Sequence, residues 1–304
     1  MDNKVKKILV FDTETTDKPP QIPIQDWNER QRFDQSLLVP ELIDVENKQG
    51  PWSQMLPAWP SIIQLSYILY DIDNPEASKI FNKYIDIPDN IVISEGSIVV
   101  HHITREKIQS VSEENRATIQ DALNEFLLDV KEANIVVGHN VQFDRKMIIA
   151  ELMRLSTENN LPQIIDMMND KNFECTMLQT TPICNLKFKQ NYIDKKTGQP
   201  KFFYKIKSPK LLEAYNYFFG YEPSGEALHD AIIDVVVGLR IFCKYKNYGD
   251  ICGKNQIITD YIMAISPPGY SCPPTEDYSI FKKAGSKRKS RKSRKSRKSR
   301  RNKK

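Results

Sequence analysis

The sequence lacks a long apolar segment, and its few cysteines are not paired in spacing. No apolar run approaches the roughly 20 residues that cross a bilayer, and no signal-peptide apolar core follows Met1. Five cysteines are present, an odd number, and no two form a C-x-x-C pair. These absences argue against a disulfide framework and a zinc knuckle, and they are typical of a reducing compartment. The sequence therefore predicts an intracellular protein, cytoplasmic or nuclear, without a membrane partner.

Acidic residues are absent from the C-terminal segment 282–304, which holds 15 of the 44 Lys and Arg residues. The remaining segment 1–281 therefore has 29 basic and 39 acidic residues, a net charge of −10. Repeats of Arg, Lys and Ser cannot bury a core, so we expect a disordered basic tail. Such runs bind nucleic acid through phosphate charge or serve as nuclear localisation signals, and both interpretations stay open.

The pattern of apolar residues predicts an α/β fold. A chain of 304 residues that is 40% hydrophobic can bury a full core. Strand-like apolar runs alternate with helical patterns, one of which is opened by Thr118 and Asp121 as a variant capping box. Alternating strands and helices indicate a sheet flanked by helices. We place the expected boundaries as follows: a domain at 1–248 with a Pro- and Trp-rich insertion at 17–60, a linker at 249–281 and the tail at 282–304.

The segment 187–210 is strongly basic within an otherwise acidic body. It has eight lysines against the single acid Asp194, with five aromatic residues among them, and residues 196–198 are typical of a hairpin turn. Cations that meet phosphates and rings that stack on bases suit a nucleic-acid strand. The alternative is a hairpin whose lysines only protect its exposed edges. We favour binding, with these candidate substrate contacts: Lys201, Lys205 and Lys207.

Two carboxylates follow the first apolar run, in the stretch FDTETT at 11–16. Because strand side chains alternate, Asp12 and Glu14 project from one face and Thr13 from the other. Adjacent carboxylates raise each other's pKa unless a cation lies between them, and Mg²⁺ prefers oxygen ligands. A lone D-x-E pattern is common, so its meaning depends on the rest of the chain.

Further candidate residues occur at two later positions. Asp144 lies in the first turn of a predicted helix that follows a strand, and Asp234 lies on another helix, five residues after His229. Each has a structural explanation by itself, such as a first-turn acid favoured by the helix dipole. Together they complete an ordered set of three motifs: FDTETT, GHNVQFD at 138–144 and HDAIID at 229–234.

This set resembles the DEDDh, or DnaQ-like, family of 3′–5′ exonucleases, over roughly residues 5–247 apart from the insertion. Lesser marks agree, namely the strand IIQLSYILY, the stretch HHIT with His102 at the usual Gly, the C-T-M stretch at 175–177 and the helix start SPKL at 208–211. The resemblance implies a ribonuclease H-like mixed sheet of about five strands flanked by helices.

The resemblance also implies a two-metal site with a histidine base. Two divalent ions, Mg²⁺ or Mn²⁺, about 4 Å apart would stabilise the attacking and leaving oxygens, and a neutral imidazole would take the proton of the water. Family members with Tyr as the base carry it where Asp230 stands here, so the His subclass is indicated. The carried-over residues are Asp12, Glu14, Asp144 and Asp234 as metal ligands and His229 as general base.

The same resemblance assigns contacts to the terminal nucleotide. The main-chain amides around Thr15 and the side chain of Asn140 would touch it. One departure is Asp17, which occupies the usual Gly position of the first motif without removing a metal ligand.

We therefore predict a metal-dependent 3′–5′ exonuclease, a phosphodiester hydrolase that releases nucleoside 5′-monophosphates from single-stranded 3′ ends. The alternative is a catalytically weak nucleic-acid-binding or proofreading accessory protein on the same fold. Proofreading would need a polymerase or another replication partner, since the chain contains no polymerase domain. The sequence leaves open whether the substrate is DNA or RNA, and also the oligomeric state.

Overall fold

The computed structural model describes residues 5–19, 59–155, 172–224 and 230–274. Most of the predicted insertion, His229 and the basic tail 282–304 lie outside the described residues. By its internal contacts the chain divides into Met1–Cys272 and Pro273–Lys304. Within the described ranges, no helix is long and apolar enough to span a membrane.

Six strands form one mixed sheet in the order β4-β3-β2-β1-β5-β6. β2 is antiparallel to β1 and β3, whereas β5 is parallel to β1 and β6 is parallel to β5. This arrangement confirms the predicted ribonuclease H-like fold, with the two-residue strand β4 added at one edge. The strands are β1 (Lys7–Thr15), β2 (Ile62–Asp71), β3 (Lys79–Ile85), β4 (Arg116–Ala117), β5 (Ile135–Gly138) and β6 (Phe173–Cys175).

Two further strands, β7 (Lys187–Ile193) and β8 (Pro200–Ile206), pair with each other as an antiparallel hairpin that is separate from the main sheet among the described strands. The predicted hairpin is therefore confirmed, with Gly198 in its turn at φ 66°. Both strands are exposed along their whole length, so the hairpin projects from the body of the molecule.

Helices cover both faces of the main sheet. Thr118 caps α3 as expected, because its hydroxyl accepts a hydrogen bond from the Asp121 amide. The described helices are α1 (Glu95–His101), α2 (Arg105–Ser110), α3 (Ile119–Glu132), α4 (Gln142–Leu155), α5 (Thr176–Cys184), α6 (Leu211–Phe219), α7 (Ala231–Tyr245) and α8 (Gln256–Ala264), with short 3₁₀ turns at Pro75–Ala77 and Glu113–Asn115.

The alternation of β1 divides the core between the two faces of the sheet. Ile8 and Val10 pack against α7 and α8, whereas Leu9 and Phe11 pack against α3 and α4. Continuing the alternation places Asp12 on the α7 side and Thr13 on the α4 side. The central strand thus presents polar side chains to both layers at its C-terminal end.

The predicted linker at 249–281 is wrong for residues 249–272. There α8 begins after Asn255, whose side chain accepts a hydrogen bond from the Ile258 amide at 3.1 Å. Ile258 and Ile262 are fully buried in the core on the α7 side. The helix has only nine residues and is followed by prolines, so its periodicity was too short to distinguish it from a linker.

The sequence argued against a disulfide framework, but it did not predict the single disulfide that is present among the described residues. Cys252 and Cys272 form a disulfide with their Cα atoms 5.3 Å apart, and it closes the segment that contains α8. Cys175, Cys184 and Cys243 are buried free thiols. The odd count and the spacing could not reveal this single pair, because only the packing of α8 brings the two cysteines together.

Candidate active site

The C-terminal half of β1 carries the first two candidate carboxylates. Asp12 lies opposite Ser66 of β2 and Glu14 lies opposite Gln64, so these four side chains share one face of the sheet. The register shifts between Glu14 and Thr15, where β1 ends. The two carboxylates are therefore held side by side at the end of a central strand, as the alternation predicts.

Asp144 is joined to β1 from the opposite layer. β5 runs parallel to β1, and the chain then turns at Asn140, in left-handed conformation with φ 66°, into the first turn of α4. Asp144 is buried, and its Oδ1 accepts hydrogen bonds from the Thr13 amide at 3.0 Å and from the Thr13 hydroxyl at 2.8 Å. The first and second sequence motifs are thus connected through Thr13.

Asp234 lies in the first turn of α7, whose start is fixed by Asp230. The Asp230 Oδ1 accepts hydrogen bonds from the Ile232 amide at 3.3 Å and from the Gln64 Nε2 at 2.8 Å. Gln64 is fully buried, and its Nε2 also donates to the Asn82 Oδ1 at 2.9 Å. These contacts hold the start of α7 against the face of the sheet that carries Asp12 and Glu14.

The acids of the three motifs act on one another electrostatically. Burial raises the pKa of Asp12 well above its usual range, and the charges of Asp144, Asp234 and Glu14 raise it further. Burial, together with the charges of Asp234, Asp144 and Asp230, raises the pKa of Glu14 to about 8. The four candidate carboxylates therefore lie close enough to oppose each other's ionisation.

The pKa values of the other two carboxylates, Asp144 and Asp234, are also raised, and different neighbours modify each value. Burial raises the pKa of Asp144 to about 7, although the hydrogen bonds from Thr13 favour its ionised form. Burial and the charge of Asp230 raise the pKa of Asp234 to about 7. Glu14, Asp144 and Asp234 are thus poised to bind either protons or cations near neutral pH.

The donor set fits hard divalent cations. Carboxylate oxygens are the ligands that Mg²⁺ prefers, and a cation would relieve the repulsion that the raised pKa values reflect. In the part of the chain that the structure describes, no group of three or more His, Cys, Asp or Glu side chains has the geometry of a metal site. The four acids therefore suit divalent cations by the chemistry of their oxygen atoms and by their negative charge.

Two histidines, the buried His101 and the half-buried His139, form hydrogen bonds at the edges of this site. His101 Nε2 donates to the Thr15 carbonyl oxygen at 3.2 Å while its Nδ1 accepts from the Ile103 amide, and burial lowers its pKa. His139 Nε2 donates to the Pro209 carbonyl oxygen at 3.1 Å, and burial lowers its pKa to about 4. Both imidazoles are neutral at pH 7 and hold neighbouring segments together.

The predicted substrate contacts have different surroundings. Thr15 is buried and its hydroxyl donates to the Asp17 carbonyl oxygen at 2.7 Å, whereas Asn140 is exposed. The predicted hairpin lysines lie on or next to β8: Lys201 pairs with Asp194, Lys207 pairs with Glu213 at the start of α6, and Lys205 is exposed. The predicted base, His229, lies outside the described residues.

Gln64, Ser66 and Asp230 are parts of the site that the sequence reasoning missed. A signal for the first two was present, since they are the polar residues within an apolar strand and are spaced to share one face. Asp230 directly precedes a helix, where an N-cap acid is favoured. Their mutual contact, however, joins segments 166 residues apart, and no local pattern predicts it.

The strand order, with helices on both faces of the sheet, defines a mixed α/β fold of the ribonuclease H-like type. No protein-family model matches the chain, and no curated protein matches it.

Among solved structures, the chain is similar to E. coli Exonuclease I in complex with a 5cy-dT13 oligonucleotide, at 15% identity and a TM-score of 0.48 over 86% of this chain and 43% of that chain. It is also similar to the nuclease domain of 3'hExo, a DEDDh family member, bound to rAMP, at 15% identity and a TM-score of 0.47 over 82% and 96% of the two chains. The zinc-bound form of the E. coli ExoI–ssDNA complex has a TM-score of 0.45 at 13% identity, over 86% and 43%. The chain thus spans less than half the length of Exonuclease I, and at these identities the likeness concerns the fold alone.

Proposed function

We propose that this protein is a metal-dependent 3′–5′ exonuclease that releases nucleoside 5′-monophosphates from single-stranded nucleic acid. The observation that carries the proposal is the convergence of four carboxylates from three distant segments. Asp12 and Glu14 share one face of β1, Thr13 of β1 binds Asp144, and Gln64 ties the start of α7, which carries Asp234, to the same sheet. The charges of Asp144, Asp234 and Glu14 raise the pKa of Asp12, which lies near the C-terminal ends of the parallel strands β1 and β5. Ligand sites of open α/β sheets lie at such strand ends.

The four carboxylates would hold the divalent ions. When bound, such ions stabilise negative charge on the attacking and leaving oxygens and lower the pKa of the attacking water. The chain's own contribution is position: Thr13 fixes one oxygen of Asp144, and the contact of Gln64 with Asp230 fixes the start of α7 and with it Asp234. Carboxylates held in this way need little rearrangement when a phosphodiester enters.

His229 is the proposed general base. It directly precedes Asp230, the N-cap of α7. An imidazole with a pKa near 6.5 is largely neutral at pH 7 and can take the proton of the attacking water. Asn140 and the main chain around Thr15 would contact the terminal nucleotide, and the lysines at 201, 205 and 207 would contact phosphates further from the cleaved bond.

A degradation assay with two label positions tests the proposal. Single-stranded DNA and RNA of about 20 nucleotides would be labelled at the 5′ or the 3′ end and incubated with Mg²⁺ or Mn²⁺. We expect the 5′-labelled strand to shorten stepwise, the 3′-labelled strand to release labelled mononucleotide at once, and EDTA to stop both. A strand blocked by a 3′-phosphate is the matched control. Internal cleavage, shortening from the 5′ end or unchanged cleavage in EDTA would contradict the proposal.

A further inference from the structure

The exposed hairpin formed by β7 and β8 has no role in the core. Its strands bury none of their residues, yet they carry seven large apolar side chains that are at least 40% exposed. A two-stranded hairpin is marginally stable in water, and exposed apolar patches mark interaction surfaces. The hairpin therefore requires an explanation outside the packing of the domain.

The strand register sorts these side chains onto two faces. Phe202 and Tyr204 point to one face, together with Lys189, which is the cross-strand partner of Tyr204. We call this the ring face. Its two rings lie 5.9 Å apart edge to face, and Lys189 Nζ lies 4.1 Å from the centre of the Phe202 ring.

The opposite face is also aromatic but more covered. Tyr192 and Phe203 lie there with their ring centres 5.8 Å apart and are 44% and 46% exposed. On the ring face, Phe202 is 53% and Tyr204 is 64% exposed. The ring face is therefore the more open of the two for a planar partner, and the opposite face supplies a matched control.

The base of the hairpin lies beside the candidate active site. The Lys207 amide closes the hairpin on the Leu186 carbonyl oxygen at 2.9 Å. Two residues further, the Pro209 carbonyl oxygen accepts the hydrogen bond from His139, which directly precedes Asn140 and the helix that carries Asp144. This hydrogen bond therefore connects the base of the hairpin to the segment that leads into α4.

We infer that the ring face stacks on unpaired bases of the substrate strand, upstream of the terminal nucleotide. This inference rests on the proposed function for the identity of the ligand. Seven lysines and one aspartate at 187–207 attract phosphates and disfavour a second copy of the same hairpin. Duplex DNA hides the faces of its bases, so the ring face accepts single strands and not duplexes.

Binding measurements under chelation test the ring face separately from hydrolysis. The affinity of full-length protein for a 5′-fluorescent 20-mer would be measured by anisotropy in EDTA. In the variant Phe202→Leu with Tyr204→Leu, apolar bulk remains but stacking is lost, so we expect Kd to rise about tenfold or more. Tyr192→Leu with Phe203→Leu should change Kd less than about threefold. Phe202→Trp with Tyr204→Trp should retain wild-type affinity.

A second probe separates bases from phosphates. An abasic strand of equal length should bind the wild type and the ring-face variant equally. Three outcomes would overturn the inference. The variants of the two faces could lose affinity equally, or the ring-face variant could keep the Kd of the wild type. The ring-face variant could also change only the oligomeric state, from dimer to monomer. If the variants differ in Kd as expected but the wild type hydrolyses no strand, the proposed hydrolysis is contradicted, whereas base stacking by the ring face is still supported.

Discussion

At the scale of single residues, burial and like charge act on the same carboxylates. Asp144 and Asp234 have pKa values of about 7 and Glu14 of about 8, whereas the ordinary values are 3.8 for Asp and 4.5 for Glu. An acid whose pKa is higher in the folded state stabilises the fold only while it is protonated. Its contribution is complete below about pH 4 and is lost as the pH rises through 7 to 8. The ionised site is thus unfavourable unless a cation compensates it.

We therefore predict that the metal-free protein loses free energy of unfolding between about pH 5 and pH 8 through these groups. Asp234→Asn, which mimics the protonated acid, should reduce this loss, and Mg²⁺ should reduce it in the wild type. Urea unfolding in EDTA at several pH values measures the difference between wild type and variant. The exposed Asp260→Asn is the control. A difference that does not change with pH would contradict the electrostatic description of the site.

His102 illustrates how the backbone conformation of a single position carries an energetic cost. It ends α1 in the left-handed conformation, with φ 56° and ψ 23°. A side chain with a Cβ is strained there, whereas Gly is not.

We predict that His102→Gly unfolds with a free energy about 1 kcal/mol larger than that of His102→Ala. Both variants remove the imidazole, so their comparison isolates the backbone conformation. Urea denaturation of the two variants measures this difference. Equal stability would show that the left-handed conformation carries no cost at this position.

At the scale of elements, side-chain hydrogen bonds hold the start of α7 to the sheet. Gln64 of β2 donates to Asp230 and to Asn82 of β3, and its Oε1 lies 3.4 Å from the Ala231 amide. Because Asp234 is one turn further along α7, this connection sets where its carboxylate stands. Gln64 is therefore a positioning residue of the candidate site.

We predict that Gln64→Ala lowers kcat by about tenfold or more and changes KM little, because a small displacement of a reacting group is costly. Asp230→Asn should retain activity, since an amide oxygen accepts the same two hydrogen bonds. Asp230→Ala should lose the cap and about 1 kcal/mol of stability. Steady-state kinetics with urea unfolding separates these effects. Equal kcat in Gln64→Ala and wild type would remove the positioning role.

Local patterns were sufficient for most elements and insufficient for distant contacts. The buried strands, the cap at Thr118, the hairpin turn and the alternation of Asp12 with Thr13 follow from rules that span a few residues. The disulfide, the packing of α8 and the contact of Gln64 with Asp230 depend on segments that meet only in the folded chain. The order of the three motifs indicated the site because the strand order brings their positions together.

At the scale of the whole molecule, charge is distributed unevenly. Residues 1–281 carry a net charge of −10, yet the hairpin is locally basic and the segment 282–304 has no acid. The candidate site adds four carboxylates to the acidic body. Phosphate binding at the proposed site would therefore require bound cations, together with basic segments that lie apart from the carboxylates.

The non-additivity of carboxylate variants is the most direct test of the central claim that these acids form one hydrolytic site. Asp12→Ala, Asp234→Ala and the double variant would be compared with wild type for release of labelled nucleoside 5′-monophosphate from a 3′-labelled single strand in Mg²⁺. When several groups act as one unit, the first substitution removes almost all of the enzyme's activity. We expect each single variant to fall to the level of the double variant, with the fold retained by circular dichroism. Near-normal release by either single variant, or losses that multiply in the double variant, would contradict a shared site.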